Sequence, residues 1–230
     1  MNFVLARVLC VLGGYCFGLF ETGAIIAKKN NVDLRKEGSG NIGTTNSLRV
    51  MGVKAGAITL LGDVLKCIIA MLLAMFIFRG MFPSPDNGYR LLMIYAGIGA
   101  ILGHDYPFYH HFKGGKGVAC VGGMIIAFSP VMALVALAFF VLIVYLTRYV
   151  SLGSMLAEIL AAVLVAVFGH YNVFIKLQGD YLIEAVVLFS LIALLCIFQH
   201  RANIGRLVKG EENKFSFKSA GKKKEEDAAN

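Results

Sequence analysis

The sequence predicts an all-α integral membrane protein: a seven-helix transmembrane bundle with its N-terminus out, its C-terminus in and a short fourth helix. Three observations predict it. Hydrophobic residues make up 58% of the 230 residues and charged residues 16%, with a mean hydropathy of +0.73, whereas soluble domains carry about 45–50% apolar and about 25% charged residues. The apolar residues lie in long runs, without the alternation of a membrane barrel. The basic residues collect in alternate connections between those runs. The same composition excludes a disordered chain and, despite the net charge of +8, a nucleic-acid module.

The first run, residues 3–26, resembles a signal peptide only in outline. Arg7 precedes apolar residues, but no small-x-small cleavage site comes before Glu21, so the run reads as a retained helix. Residues 53–78 and 91–103 form the second and third runs. The fourth, residues 118–128, falls short of the ~20 residues of an upright span; it is tilted, re-entrant or buried in the bundle. Residues 131–146, 152–168 and 182–198 complete the set. With seven crossings, 16 of the 22 Lys and Arg fall in the connections and tail of one face and three (Arg79, Arg90, Lys176) on the other. By the positive-inside rule the basic face is cytoplasmic. Were the fourth run not to cross, the basic tail would face out, so it reads as a crossing or near-crossing element. Residues 1–218 form one domain. Residues 219–230 (SAGKKKEEDAAN) form a charged tail predicted to be disordered and solvated, since Glu225, Glu226 and Asp227 offset its lysines. The five cysteines are odd in number, lie in apolar runs and make no C-x-x-C, so they read as small buried hydrophobes.

Four basic-face segments carry unusual chemistry. Residues 37–49 (EGSGNIGTTNSLR) combine glycines that expose backbone N–H groups, neutral donors at Ser39, Thr44, Thr45 and Asn46, and one cation, Arg49. No acid lies between Glu37 and Asp63. Donors and an Arg without carboxylates suit a phosphate. No Walker A loop occurs. Residues 103–117 (GHDYPFYHHFKGGKG) set Lys113 and Lys116 among three glycines just before an apolar helix, again a phosphate-binding pattern. His104, His110 and His111 have no familiar metal spacing, and His110 and His111 read as structural or interfacial. In residues 148–154 (RYVSLGS), Ser151 is positioned to cap a helix and Ser154 lies one turn further in. In residues 200–209 (HRANIGRLVK), His200, Asn203 and Arg206 share one helical face. Within the spans, Asp63 and Lys66 at i, i+3 read as a structural ion pair, and Glu158 has no evident partner.

Cations and neutral donors with almost no acids, beside a bilayer, suggest joining an anionic head group to an acyl chain. The acyltransferase H-x-x-x-x-D and the elbow G-x-S-x-G are both absent, which speaks against an acyl-enzyme. The combination resembles a known family. Gly38 through Asn46 with Leu48 and Arg49, Gly103-His104, Tyr106-Pro107, Phe112 through Ala119, Ser151 through Ser154, and His200-Arg201, Asn203-Ile204, Arg206-Leu207 with Gly210, Glu212 and Lys214 together resemble the bacterial membrane acyl-phosphate:glycerol-3-phosphate acyltransferases. The segments keep that family's order over residues 10 to 215.

The resemblance implies transfer of a fatty acyl group from acyl phosphate to the 1-hydroxyl of glycerol 3-phosphate. The products are lysophosphatidic acid and phosphate, the first acylation of bacterial phospholipid synthesis, at the cytoplasmic face of the inner membrane. It implies Ser39 and His200 as catalytic residues, with Gly40, Asn41, Gly43, Thr45, Asn46, Arg49, Lys116, Ser154 and Asn203 binding substrate. No metal or cofactor is implied. Membrane lipid is an expected partner, and the soluble enzyme that makes acyl phosphate a candidate one. The loop of residues 39–46 is expected to cradle a phosphate, and Arg49 and Lys116 to neutralise the phosphates of the two substrates. The proton acceptor is His200 or a substrate phosphate oxygen, and the resemblance leans toward the latter. Two other readings stay open on the residues alone: a carrier for a phosphorylated metabolite and a non-catalytic scaffold.

Overall fold

The computed structural model describes residues 2–82 and 88–215; the tail of residues 219–230 lies outside them. Among the described residues there are helices and no strands. In chain order they are α1 (Phe3–Gly18), α2 (Thr22–Lys29), α3 (Thr44–Met51), α4 (Val53–Phe78), α5 (Gly88–Asp105), a 3-10 turn (Phe108–His110), α6 (Val118–Phe128), α7 (Pro130–Thr147), α8 (Val150–His170), α9 (Gly179–Gln199) and α10 (Arg201–Lys209). Among the described residues, five stretches are long and apolar enough to cross a membrane: Phe3–Lys29, α4, α7, α8 and α9.

The centre of the bundle is α5, which packs on α1, α4, α6 and α9. Thirteen of its 18 residues are buried, which is why it tolerates glycines, tyrosines and polar ends that a lipid-facing helix would not. Its contact with α1 is backbone to backbone. Gly14 and Gly18 on α1 face Gly99 and Gly103 on α5, a small-xxx-small pattern on both helices. A Cβ on Gly14 would lie 2.0 Å from Ala96 O, and one on Gly99 would lie 2.2 Å from Val11 O. By contrast α7 buries only Met132 and Ala136, so its apolar surface faces lipid.

Two elements depart from the sequence expectation. The first apolar run is broken at residues 19–21 into α1 and α2, because the carbonyls of Gly18 and Phe20 accept from Lys66 Nζ at 3.2 and 2.8 Å. The connection between the first and second apolar runs, part of which is expected as a loop over residues 39–46, contains α3, which carries Thr44, Thr45, Asn46 and Arg49. The short fourth run is observed as α6, with the expected bounds. Its 11 residues rise ~16 Å. Gly117 at its start packs on Asp105 at the end of α5, and Phe128 at its end lies under Arg90 in the first turn of α5, 5.9 Å from guanidinium carbon to ring centre. It therefore runs alongside most of α5. Ser129 then ends it and caps α7, with Pro130 in the first turn.

The α1–α5 contact leaves no room for a side chain at Gly99. Gly99→Leu is expected to cost about 1–3 kcal/mol of stability, read as a lowered thermal midpoint in detergent. Leu at Gly122, which has nothing within 4 Å of its Cβ position, is the control expected to change little.

Candidate active site

The polar residues gather where α5, α9 and α10 end and where α6 and α8 begin. The last turn of α5 is a platform. Gly115 N donates to His104 O and Gly114 N to Asp105 O, both at 3.0 Å. These bonds fold residues 113–117 back over the helix end. Gly117, at a φ of +72° that favours glycine, turns the chain into α6. Lys116 sits on this turn, half-buried, and its Nζ donates to Asn203 Oδ1.

Asn203 lies in α10, which ends at Gly210 in the left-handed conformation with Glu211 N bonded to Arg206 O at 2.8 Å. That turn returns Glu212 to the helix. Its carboxylate accepts from Asn203 Nδ2 at 2.6 Å, Arg206 Nε at 2.7 Å and Ser151 Oγ at 3.0 Å. Burial pushes the Glu212 carboxyl up, but the three donors outweigh burial and hold it below the usual carboxylate range. Ser151 is therefore not the cap expected from the sequence: Tyr149 occupies that position and Ser151 joins α8 to Glu212. Ser154, buried one turn on, donates to Val150 O at 2.9 Å.

His200 closes α9. Its Nδ1 lies 2.8 Å from Cys196 O, so Nδ1 carries the hydrogen and Nε2 is left as an acceptor. Burial, then the Lys116 charge, push the imidazole down to about 4, so His200 is neutral at physiological pH. Lys116 is itself lowered, by burial first and then by Arg206, with Glu212 opposing.

The glycine-rich segment is a separate assembly. Asn46 is buried and turned toward its own loop. Its Nδ2 donates to Leu34 O at 3.1 Å and Glu37 O at 3.0 Å, and its Oδ1 accepts from Ser39 N at 2.8 Å. The expected substrate-binding amide thus has both hydrogens committed to holding the loop. Ser39 and Gly40 are exposed on that loop, and Asn41, Gly43, Thr45 and Arg49 are half-buried. The Thr44 hydroxyl is buried without a partner. Among the described residues no hydrogen bond or ion pair joins Ser39 or Arg49 directly to Lys116, Asn203 or His200. The polar link is Arg35, which donates to Lys113 O at 2.9 Å and lies 3.3 Å from His110 Nδ1. His110 in turn lies 3.0 Å from Glu21 Oε2.

The structure thus brings Lys116, Asn203 and His200 together and straps the glycine-rich loop to the Lys113 end of the same turn. Sequence reasoning left out Glu212 as an organising group, and Arg35 as the strap. Gly210, just after the last helix, was the available signal for Glu212, since a left-handed turn after a helix reverses the chain.

A family model described as glycerol-3-phosphate acyltransferase matches residues 8–210. The chain belongs to the glycerol-3-phosphate acyltransferase family. It is 40% identical to the glycerol-3-phosphate acyltransferase of Halalkalibacterium halodurans, over 94% of this chain and 97% of that protein. It is 39% identical to that of Listeria monocytogenes, over 94% and 98%. The crystal structure of PlsY, an integral membrane glycerol 3-phosphate acyltransferase, in its glycerol 3-phosphate form is similar with a TM-score of 0.77 and 35% identity, covering 91% of this chain and 96% of that one. As a member of the family the chain is a multi-pass membrane acyltransferase of lipid synthesis.

The His200 environment yields a pH signature. The native imidazole, near 4, binds a proton less readily than the unfolded one, near 6.5. Its contribution to stability is full above pH 6.5 and falls as pH drops toward 4. His200→Asn is expected to flatten the fall in thermal midpoint across that window; an unchanged slope would place the titration elsewhere.

Proposed function

We propose that the chain transfers a fatty acyl group from acyl phosphate to the 1-hydroxyl of glycerol 3-phosphate, releasing lysophosphatidic acid and inorganic phosphate. The observation that carries this reading is the meeting of Lys116, Asn203 and His200 at helix ends, next to a glycine-rich loop that presents donors and no carboxylate. Similarity to a structure described as a glycerol 3-phosphate form supports the acceptor; one described as a lysophosphatidic acid form, with a TM-score of 0.76 and 34% identity, supports the product.

Acyl phosphate is already activated, so the protein needs to align the acceptor hydroxyl and stabilise charge on the acyl oxygen and the departing phosphate. The loop carrying Ser39, Gly40, Asn41, Gly43 and Thr45 cradles one phosphate, with Arg49 behind it on α3. Asn46 serves this site by holding the loop. Lys116, Ser154 and Asn203 belong to the second phosphate and the acceptor. The hydroxyl oxygen attacks the acyl carbon, the bond from that carbon to the phosphate oxygen breaks, and the hydroxyl proton ends on the released phosphate. A phosphate monoester titrates near pH 6, closer to neutrality than His200. A substrate phosphate oxygen is therefore the base, and neutral His200 orients the acceptor by taking a hydrogen bond through Nε2 from its other hydroxyl, which leaves the proton of the attacking one to the phosphate.

In the bilayer α1 with α2, α4, α5, α6, α7, α8 and α9 form seven crossings, N-terminus out and C-terminus in, with the site at the cytoplasmic face of the bacterial inner membrane. The basic loops of that face favour this orientation. The soluble enzyme that makes acyl phosphate is the natural donor partner, since this substrate is both reactive and amphiphilic.

Purified protein is expected to release phosphate and lysophosphatidic acid from acyl phosphate and glycerol 3-phosphate, and to make no product from acyl-CoA. Product from acyl-CoA alone would overturn the donor assignment. Arg49→Ala should lower kcat/KM about 100-fold or more in protein that still folds. His200→Ala should cost only a few fold; a loss nearer the 10⁴-fold that a general base can contribute would make His200 the base instead.

A further inference from the structure

Lys116 can hold a phosphate only if the turn that carries it is rigid, and the rigidity comes from beneath. His104 is buried at the end of α5, and no step of the acyl transfer uses it. Its Nδ1 lies 2.8 Å from Lys66 Nζ. An ammonium has no lone pair, so Nδ1 accepts and Nε2 carries the hydrogen. Lys66 is held in turn by Asp63 Oδ1 at 2.9 Å and by the carbonyls of Gly18 and Phe20. The ring therefore cannot rotate without losing its hydrogen bond to an ammonium that Asp63 and two carbonyls hold in place.

The far edge of that ring meets the Lys116 turn. A Cβ on Gly115 would fall 2.0 Å from His104 Nε2, 2.7 Å from Cε1 and 2.8 Å from Cδ2. The glycine's missing side chain is thus the space the imidazole occupies. Gly115 N also bonds to His104 O, so ring and backbone of one residue seat the turn from two sides. Lys116 is the next residue.

We propose that His104, oriented by Lys66, is a positioning residue for acyl transfer: its imidazole is the wall that sets the residue 114–116 turn and so places the Lys116 ammonium on a substrate phosphate. This rests on the reading of Lys116 as a phosphate-holding cation. A misplacement of this kind acts on one substrate, the one Lys116 holds, and leaves the affinity for the other alone. A purely structural role would lower the thermal midpoint and the amount of active enzyme, and would leave both KM values unchanged.

The test is steady-state kinetics on the full-length purified enzyme, varying acyl phosphate and glycerol 3-phosphate separately. Lys116→Ala first identifies whose KM the ammonium controls. Gly115→Ala and His104→Ala are each expected to raise that same KM about tenfold and to leave the other within twofold. The double variant His104→Ala/Gly115→Ala is expected to recover most of the loss of Gly115→Ala, because the new methyl occupies the space vacated by the ring. Should His104→Ala fail to fold, Asp63→Asn/Lys66→Met, which frees the ring without leaving a buried charge, is expected to show the same single-substrate KM rise. The proposal is overturned if these variants leave both KM values within twofold, or if the double variant is no better than Gly115→Ala. A fully active Lys116→Ala would remove the phosphate-holding reading, and the positioning role with it.

Discussion

One buried ammonium organises the half of this protein that carries the candidate site. Lys66 sits in a membrane helix, where an unpaired cation is expensive, and it is surrounded by acceptors from three helices. Asp63 supplies the countercharge one turn away on α4. The carbonyls of Gly18 and Phe20 are helix-end groups that would otherwise lie buried without donors, and the end of a helix is electrostatically suited to a cation. His104 on α5 completes the set. The pair therefore does more than cancel its own charge. It ends α1 at a defined residue, sets the angle at which α2 leaves, and aligns the last turn of α5.

The surface proposed to bind phosphate is built on those helix ends rather than within the bundle. Backbone N–H groups and glycines provide donors at no cost in desolvated side chains, and the cations come in from separate elements. Glu212, the carboxylate that shares Asn203 with Lys116, is engaged by Ser151, Asn203 and Arg206. It fastens α8 to α10 and fixes the orientation of Asn203 without standing open to repel an anion. Neutral His200 fits the same scheme: an imidazolium beside Lys116 would be repelled, and a neutral ring leaves an acceptor on an otherwise cationic surface.

The glycine contacts between α1 and α5 account for how such ends can be held to a fraction of an ångström. Helices that touch through their backbones leave few side-chain rotamers at the interface to absorb displacement. The outward helix α7, whose surface is lipid-facing, bears no residue of the site, whereas α5, almost wholly buried, supports it.

The long apolar runs, the clustering of Lys and Arg in alternate connections, and the candidate polar segments could be read in the amino-acid order, because hydropathy and loop charge are local properties. The bounds of α4 and α6 follow directly from where apolar residues stop at Gly52 and Gly117 and at Arg79 and Ser129. What each polar group does with its hydrogen bonds could not be read. Asn46 and Ser39 look alike as candidate donors, yet one is spent on the loop's own backbone and the other is exposed. Ser151 looks like a cap and is a bridge to Glu212, 61 positions away. His104 carries no signal of its partnership with Lys66 and Gly115. Such choices depend on the distance between helices remote in sequence, and packing of the finished bundle alone sets that distance.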